Sequence, residues 1–303
     1  MNWTEILSLL LKNQWYLFYL AGIMVVAGYA KHYNWFFPIY QFVVNRVKSK
    51  RAVVALISAL TGSLPIPGRV SVSAGILDTV SSDDPKSREK LGMIDYLSTH
   101  HYYLWSPLEK TIIIPMAAFG ISYLTMMSYM WPLMVGCFAV ILFYLFVILK
   151  EEDVSISPAE LKPERLNGVP DPTHLVDWNL IILLSVIIVL SNFAREYTTE
   201  VQEFVSTSGL GIMEMSIICF VGSFFLGSSA RFAALTTIAV SIFGLPYLAW
   251  FFALDYAGYI LSPIHKCVFI GYRYFKTPIV MYYKALLSMC ILVVLASTIT
   301  FLY

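Results

Sequence analysis

The chain has 303 residues, 58% of them hydrophobic and 13% charged, whereas a soluble domain carries roughly 45–50% apolar and ~25% charged residues. A formal net charge of +1 leaves no electrostatic footprint for nucleic acid, and no basic amphipathic run suggests attachment to a bilayer surface. The composition therefore points to an integral membrane protein, with the lipid bilayer as its first partner.

Residues 1–12 lack a basic leader and a small-residue cleavage site, so the first apolar segment is expected to be retained. A hydrocarbon core of ~30 Å takes about 20 apolar residues in a helix. Four charge-poor segments, 14–30, 131–149, 178–193 and 279–302, approach or meet that length and carry aromatic residues near their ends. Between the members of each pair lie residues 52–80 and 209–244, which are apolar but broken by Gly, Pro and Ser. The first contains TGSLPIPGR from Thr61 to Arg69, and the second contains GSFFLGSSAR from Gly222 to Arg231. Proline and glycine end helices and free backbone groups that lipid cannot satisfy, so each stretch predicts two short arms meeting at a non-helical, re-entrant tip. Residues 81–90 read as a short polar loop. Residues 150–174 hold six acidic residues and four prolines, and predict a solvated linker over 150–175.

An internal repeat follows the hairpins. YLWSPLEKTIII from Tyr103 aligns without gaps on YILSPIHKCVFI from Tyr259, an offset of 156, and Asp-Tyr precedes each copy as Asp95-Tyr96 and Asp255-Tyr256. Pro107 and Pro263 each remove a helical hydrogen bond and clash with the preceding turn, which predicts two discontinuous helices. With the N-terminus outside, thirteen of the Lys and Arg residues in the loops fall on the cytoplasmic side and two, Lys12 and Arg195, fall outside; basic loops stay cytoplasmic. That orientation makes the two hairpins enter from opposite sides. The expectation is an all-α polytopic inner-membrane protein of two inverted repeats, 1–149 and 176–303, joined by the cytoplasmic linker. Each repeat has a re-entrant hairpin and a discontinuous helix, a design used by secondary transporters.

Arg69, Arg231, Lys110 and Lys266 lie inside the apolar segments as repeat-related pairs. A charge at mid-bilayer costs roughly 2.5–3.5 kcal/mol, so these four are expected to face a protein or aqueous interior. Beside them, helix ends supply N–H groups and positive dipole ends suited to carboxylate or phosphate oxygens. The predicted solute site comprises Ser63, Pro65, Gly68, Arg69, Ser106, Lys110, Ser223, Ser228, Ser229, Arg231, Ser262 and Lys266, and its partner is a small anionic solute. The competing expectation pairs Arg69 and Arg231 with Asp78, Asp95, Glu109, Glu214 or Asp255. Asp95, Glu109, Asp255 and His265 are the predicted carriers of a coupling proton. Sodium would instead use carbonyls at the Ser-Pro turns together with the hydroxyls of Ser63, Ser106, Ser223 and Ser262. No other cofactor is expected. Cys137, Cys219, Cys267 and Cys290 stand alone in apolar stretches and read as buried thiols. His100-His101 offers no metal site by spacing, because adjacent residues face different ways and neither HExxH nor a Cys/His cluster is present. No nucleophile elbow, dinucleotide loop or Walker sequence supports catalysis or ATP-driven pumping.

LPIPG at Leu64–Gly68 with residues 71–78, LGSS at Leu226–Ser229 through Gly244-Leu-Pro246, and GYILSPIHKC at Gly258–Cys267 with Tyr274-Phe275 resemble segments of an uncharacterised prokaryotic integral membrane family. That family is catalogued as a domain of unknown function and grouped with the ion transporter superfamily that includes gluconate permeases. The resemblance implies an elevator-type carrier, often dimeric, whose tips and broken helices enclose solute and ion. The chain departs from it in being short and in placing Arg69 directly after Gly68. A scaffold or assembly protein that retains the carrier fold without transporting is the alternative expectation.

Overall fold

A computed structural model describes residues 3–302 except 34, 36, 64–68, 80, 82–83, 156–170, 197–199, 201–202, 204, 206 and 228. Among the described residues the regular structure is helical, and the β contact present is an isolated bridge between Ser81 and Val154. The helices are α1 (Trp3–Lys12), α2 (Gln14–His32), α3 (Phe37–Arg46), α4 (Lys50–Gly62), α5 (Arg69–Thr79), α6 (Pro85–Ser98), α7 (Lys110–Phe119) and α8 (Tyr123–Phe143). α9 (Pro172–Leu175) falls at the end of the expected linker, and it is followed by α10 (Trp178–Glu196), α11 (Ile212–Leu226), α12 (Ser229–Phe243), α13 (Leu248–Leu261), α14 (Lys266–Phe275) and α15 (Ile279–Ser297).

Local chemistry sets several boundaries. Ser49, Asp84 and Ser122 accept hydrogen bonds from first-turn N–H groups of α4, α6 and α8, and Pro85 occupies the first position of α6, where its missing N–H costs nothing. Gly120 and Gly227 close α7 and α11 in the left-handed conformation, at φ 62° and 55°. Among the described residues two helical stretches are long and apolar enough to cross a bilayer, Tyr123–Ile148 and Ile279–Leu302. The pair α1–α2, bent by 56°, adds a third if it counts as one span. The expected span at 178–193 lies in α10, of which Trp178–Leu190 is one of the shorter apolar helices. At 1.5 Å per residue the 15-residue helices α11 and α12 fall well short of ~30 Å.

Two three-helix groups organise the packing. α4, α5 and α6 pack on one another, as do α11, α12 and α13. Helix is interrupted after each third member. α6 stops at Ser98, a 3-10 turn spans His101–Leu104, and α7 starts at Lys110; α13 stops at Leu261 and α14 starts at Lys266. The short helices then cross over, α7 packing on α12 and α14 on α5 and α6, while α8 and α15 lie along each other. The main apolar core joins these elements around Tyr96, Phe251, Phe252, Tyr256 and Met289, and a second core under α3–α6 holds Val53, Ile57, Leu77, Leu91 and Phe275.

Four polar segments distant in sequence meet. Ser49 Oγ and the Lys50 N–H donate to Glu151 at 2.7 and 2.9 Å, and Lys90 donates to both oxygens of Asp153 at 2.9 and 2.8 Å. Arg88 donates to the Tyr274 carbonyl at 2.8 Å and pairs with Asp78. The Ser49 hydroxyl leads the contacts that hold the Glu151 carboxyl below the usual range. For Asp153 burial pushes the carboxyl up, but the hydrogen bonds from Lys90, the Lys150 N–H and Ser87 outweigh it and leave it low.

Candidate functional site

The two acids of the Asp-Tyr pairs are fully buried, and each is held by both arms of the hairpin that precedes it. Asp95 on α6 accepts from Ser58 of α4 at 3.3 Å and from Ser73 of α5, both on Oδ1. Asp255 on α13 accepts from Ser223 of α11 at 2.5 Å on Oδ1, and from the N–H and hydroxyl of Thr236 of α12 at 2.7 and 2.5 Å on Oδ2. The cradles are alike in chemistry: a carboxylate facing hydroxyl donors from two helices, a set that serves a proton or a hard cation. Ser223, expected at the solute, sits inside α11 and belongs to the Asp255 cradle.

Two glycines bring helix ends against the breaks. Gly62, at the end of α4, lies so close to the end of α6 that a Cβ would come within 2.9 Å of the Ser98 carbonyl oxygen. Gly227 brings the second tip against the second break, where a Cβ would stand 2.5 Å from Ile264 and 3.3 Å from Ser262 Oγ. Ser106 and Ser262 are buried and accept from the N–H two residues on, Leu108 at 3.3 Å and Ile264 at 3.4 Å. Their hydroxyls therefore shape the Ser-Pro turns. Ser63 donates to the Ala59 carbonyl at 2.8 Å. Several break carbonyls already accept hydrogens: Trp105 from Tyr123 at 2.7 Å, Pro107 from Tyr19 at 3.1 Å and Tyr103 from Thr111 at 2.8 Å.

The four cations all occupy first-turn positions. Arg69 is the first residue of α5, Lys110 of α7 and Lys266 of α14, and Arg231 is the third residue of α12. Each thus sits in the first turn of a helix that starts at a tip or a break. The side chains of Arg69, Ser229, Arg231 and Lys266, and residues Pro65, Gly68 and Ser228 as a whole, lie outside what the structure describes. Lys110 is half-buried and follows the buried Glu109, whose extended backbone leads into α7. Two acids weighed as partners for the hairpin arginines have other contacts: Asp78 pairs with Arg88, and Glu214 accepts from the Gly211 N–H at 2.8 Å.

His265 is buried at the second break, with Nε2 3.2 Å from His100 Nε2 and Cys267 beside them. His101 turns away, accepting from Trp105 Nε1 at 2.8 Å. Tyr103 and Tyr259, equivalent in the repeat, meet hydroxyl to hydroxyl at 3.0 Å. Sequence reasoning selected His265 but missed its neighbours. The available signal was where the copies differ: His265 and Cys267 stand opposite Glu109 and Thr111, and the first copy carries four more residues between Asp-Tyr and Tyr-x-x-Ser-Pro. A half-open cavity of about 660 Å³ lined by Ser128, Tyr129, Trp131, Pro132, Pro246 and Thr300 contains no charged residue and none of the residues above.

Residues 4–210, about two thirds of the chain, match the family described as "Protein of unknown function (DUF401)". The match includes the first hairpin and the first Ser-Pro break and stops before α11. No curated protein and no solved structure matches the chain significantly.

Proposed function

The chain belongs to that DUF401 family of proteins of unknown function, and from this premise we propose that it is an elevator-type secondary active transporter. It carries a small anionic solute, such as an organic acid, together with a proton or a sodium ion. In this reading the apolar helices insert in the inner membrane, residues 1–149 and 176–303 are inverted repeats, and the 150–175 linker is cytoplasmic with the N-terminus outside. A homodimer is the proposed assembly. The like cradles of Asp95 and Asp255 support the repeat, as does the reciprocal packing of α7 on α12 and α14 on α5. The meeting of Ser49, Lys90, Glu151, Asp153 and Tyr274 in one polar region supports a shared cytoplasmic side.

One observation carries the anion: four cations in the first turns of four helices that begin at the tips and breaks. A helix N-terminus carries roughly half a positive charge, so a basic side chain there adds to the local potential instead of balancing it. Four such additions are relieved when an anion enters, which is the condition for binding one. Asp95 and Asp255 hold the driving cation, and neutralising a carboxylate removes a like charge from the path of the solute.

The test is thermal unfolding of the purified full chain against sugar acids, dicarboxylates and phosphate, with sodium and pH varied. At least one anion should raise Tm saturably, by an amount equivalent to about 2.7 kcal/mol at a hundred times its Kd, and more strongly with sodium or at lower pH. Absence of stabilisation by every anion under every condition would overturn the reading in favour of a non-transporting scaffold.

A further inference from the structure

We propose that His100, His265 and Cys267 form a zinc site that ties the end of the first three-helix group to the break in the second. The argument begins with the imidazole tautomers. His100 Nδ1 lies 2.6 Å from the Tyr96 carbonyl oxygen and His265 Nδ1 lies 3.1 Å from that of Tyr259. A carbonyl only accepts, so in both neutral rings the hydrogen resides on Nδ1 and the lone pair on Nε2. The two Nε2 atoms, 3.2 Å apart, therefore turn lone pairs toward each other. Zinc–nitrogen bonds of about 2.05 Å in tetrahedral geometry put two ligand nitrogens ~3.3 Å apart, which is the separation already present. Donation of the second ring nitrogen to a backbone carbonyl is also the usual means by which a zinc-ligating histidine is held in register.

The third group supplies selectivity. One ring nitrogen of each histidine and Cys267 Sγ all lie within 4.8 Å of one another, against ~3.5 Å between nitrogen and sulfur on a tetrahedral zinc. Closing the site takes a movement of the Cys267 side chain toward the two Nε2 atoms. Two imidazoles and a thiolate favour a borderline-soft d10 ion over magnesium or calcium. Tyr96 stacks on His100 with ring centroids 4.2 Å apart, and Tyr259 leans on His265 at 4.4 Å, so aromatic faces fix both imidazoles. On binding, the Cys267 thiol forms the sulfur–zinc bond and releases its proton to solvent, and the fourth position takes water. Cys267 is half-buried while both histidines are fully buried, so the ion enters from the cysteine side. None of this depends on the transport reading.

The experiment uses the full chain in detergent and the metal ions alone. Chelator competition should give one tightly held zinc per chain. The cobalt form should show tetrahedral d–d bands and a thiolate-to-cobalt charge-transfer band. Cys267→Ser should abolish the charge-transfer band, and His100→Gln and His265→Gln should each weaken zinc binding roughly a hundredfold. His101→Gln should change nothing, and unfolding profiles in excess chelator report whether each variant is folded. Failure of the wild-type chain to hold zinc at one per chain, or a cobalt spectrum unchanged by Cys267→Ser, would overturn the site.

Discussion

Asp153 accepts four hydrogen bonds, two from Lys90 and one each from Ser87 and the Lys150 N–H, at 2.7–2.9 Å. Bonds to a charged group contribute about 1.5–3 kcal/mol each when removal leaves a partner unsatisfied, but Lys90 keeps access to water. Asp153→Asn should therefore cost ~2 kcal/mol in denaturant unfolding at neutral pH. Because the folded carboxyl lies below its ordinary value of 3.8, this stabilisation is fully present above that value and is lost as pH falls through the lower folded one. The gap between wild type and variant should close in that acid window. At this scale the sequence was half legible. Asp95 and Asp255 stood out because they lie near the predicted breaks in repeat-related Asp-Tyr pairs, whereas Ser58, Ser73 and Thr236 did not, since their role exists only across helices. Ser106 and Ser262, expected at a solute, also have a local use in the Ser-Pro turns, where each accepts the N–H two residues on.

Gly258 of α13 faces α11 so closely that a Cβ would stand 2.1 Å from the Phe220 carbonyl oxygen. That atom is backbone and cannot rotate away, so Gly258→Ala forces α11 and α13 apart. The expected cost is about 1–3 kcal/mol or more, read as lowered Tm with loosened packing around the Asp255 cradle. Gly75→Ala, where the nearest atoms are at ordinary contact of 3.8 Å, should be near neutral by the same melt. Helix interruption was legible where two local signals coincide. A Ser-Pro with a buried serine lies in both interruptions, yet Pro115 and Pro132 remain inside α7 and α8, so proline alone does not decide. The π turn at Tyr144–Ile148 left no periodic mark, since it preserves an apolar run while changing its pitch.

At the scale of the molecule, two three-helix groups share a plan: each carries a buried aspartate on its third helix, held by the first two, and is followed by a Ser-Pro break and a short helix that packs on the other group. The motif order was visible in the sequence because it is written in rare residues. The crossover was not, because contacts between α7 and α12 or α14 and α5 join segments separated by more than a hundred residues. The measurement that bears most directly on the carrier is uptake into proteoliposomes of a labelled organic anion that stabilises the protein, driven by an imposed sodium or proton gradient. Wild type should accumulate it, and Asp95→Asn and Asp255→Asn should each reduce gradient-driven uptake by roughly tenfold or more while remaining folded, given the ~1.5–3 kcal/mol that a charged hydrogen-bonded group contributes. Accumulation that proceeds unchanged in both variants, or none in wild type under either gradient, would contradict the account.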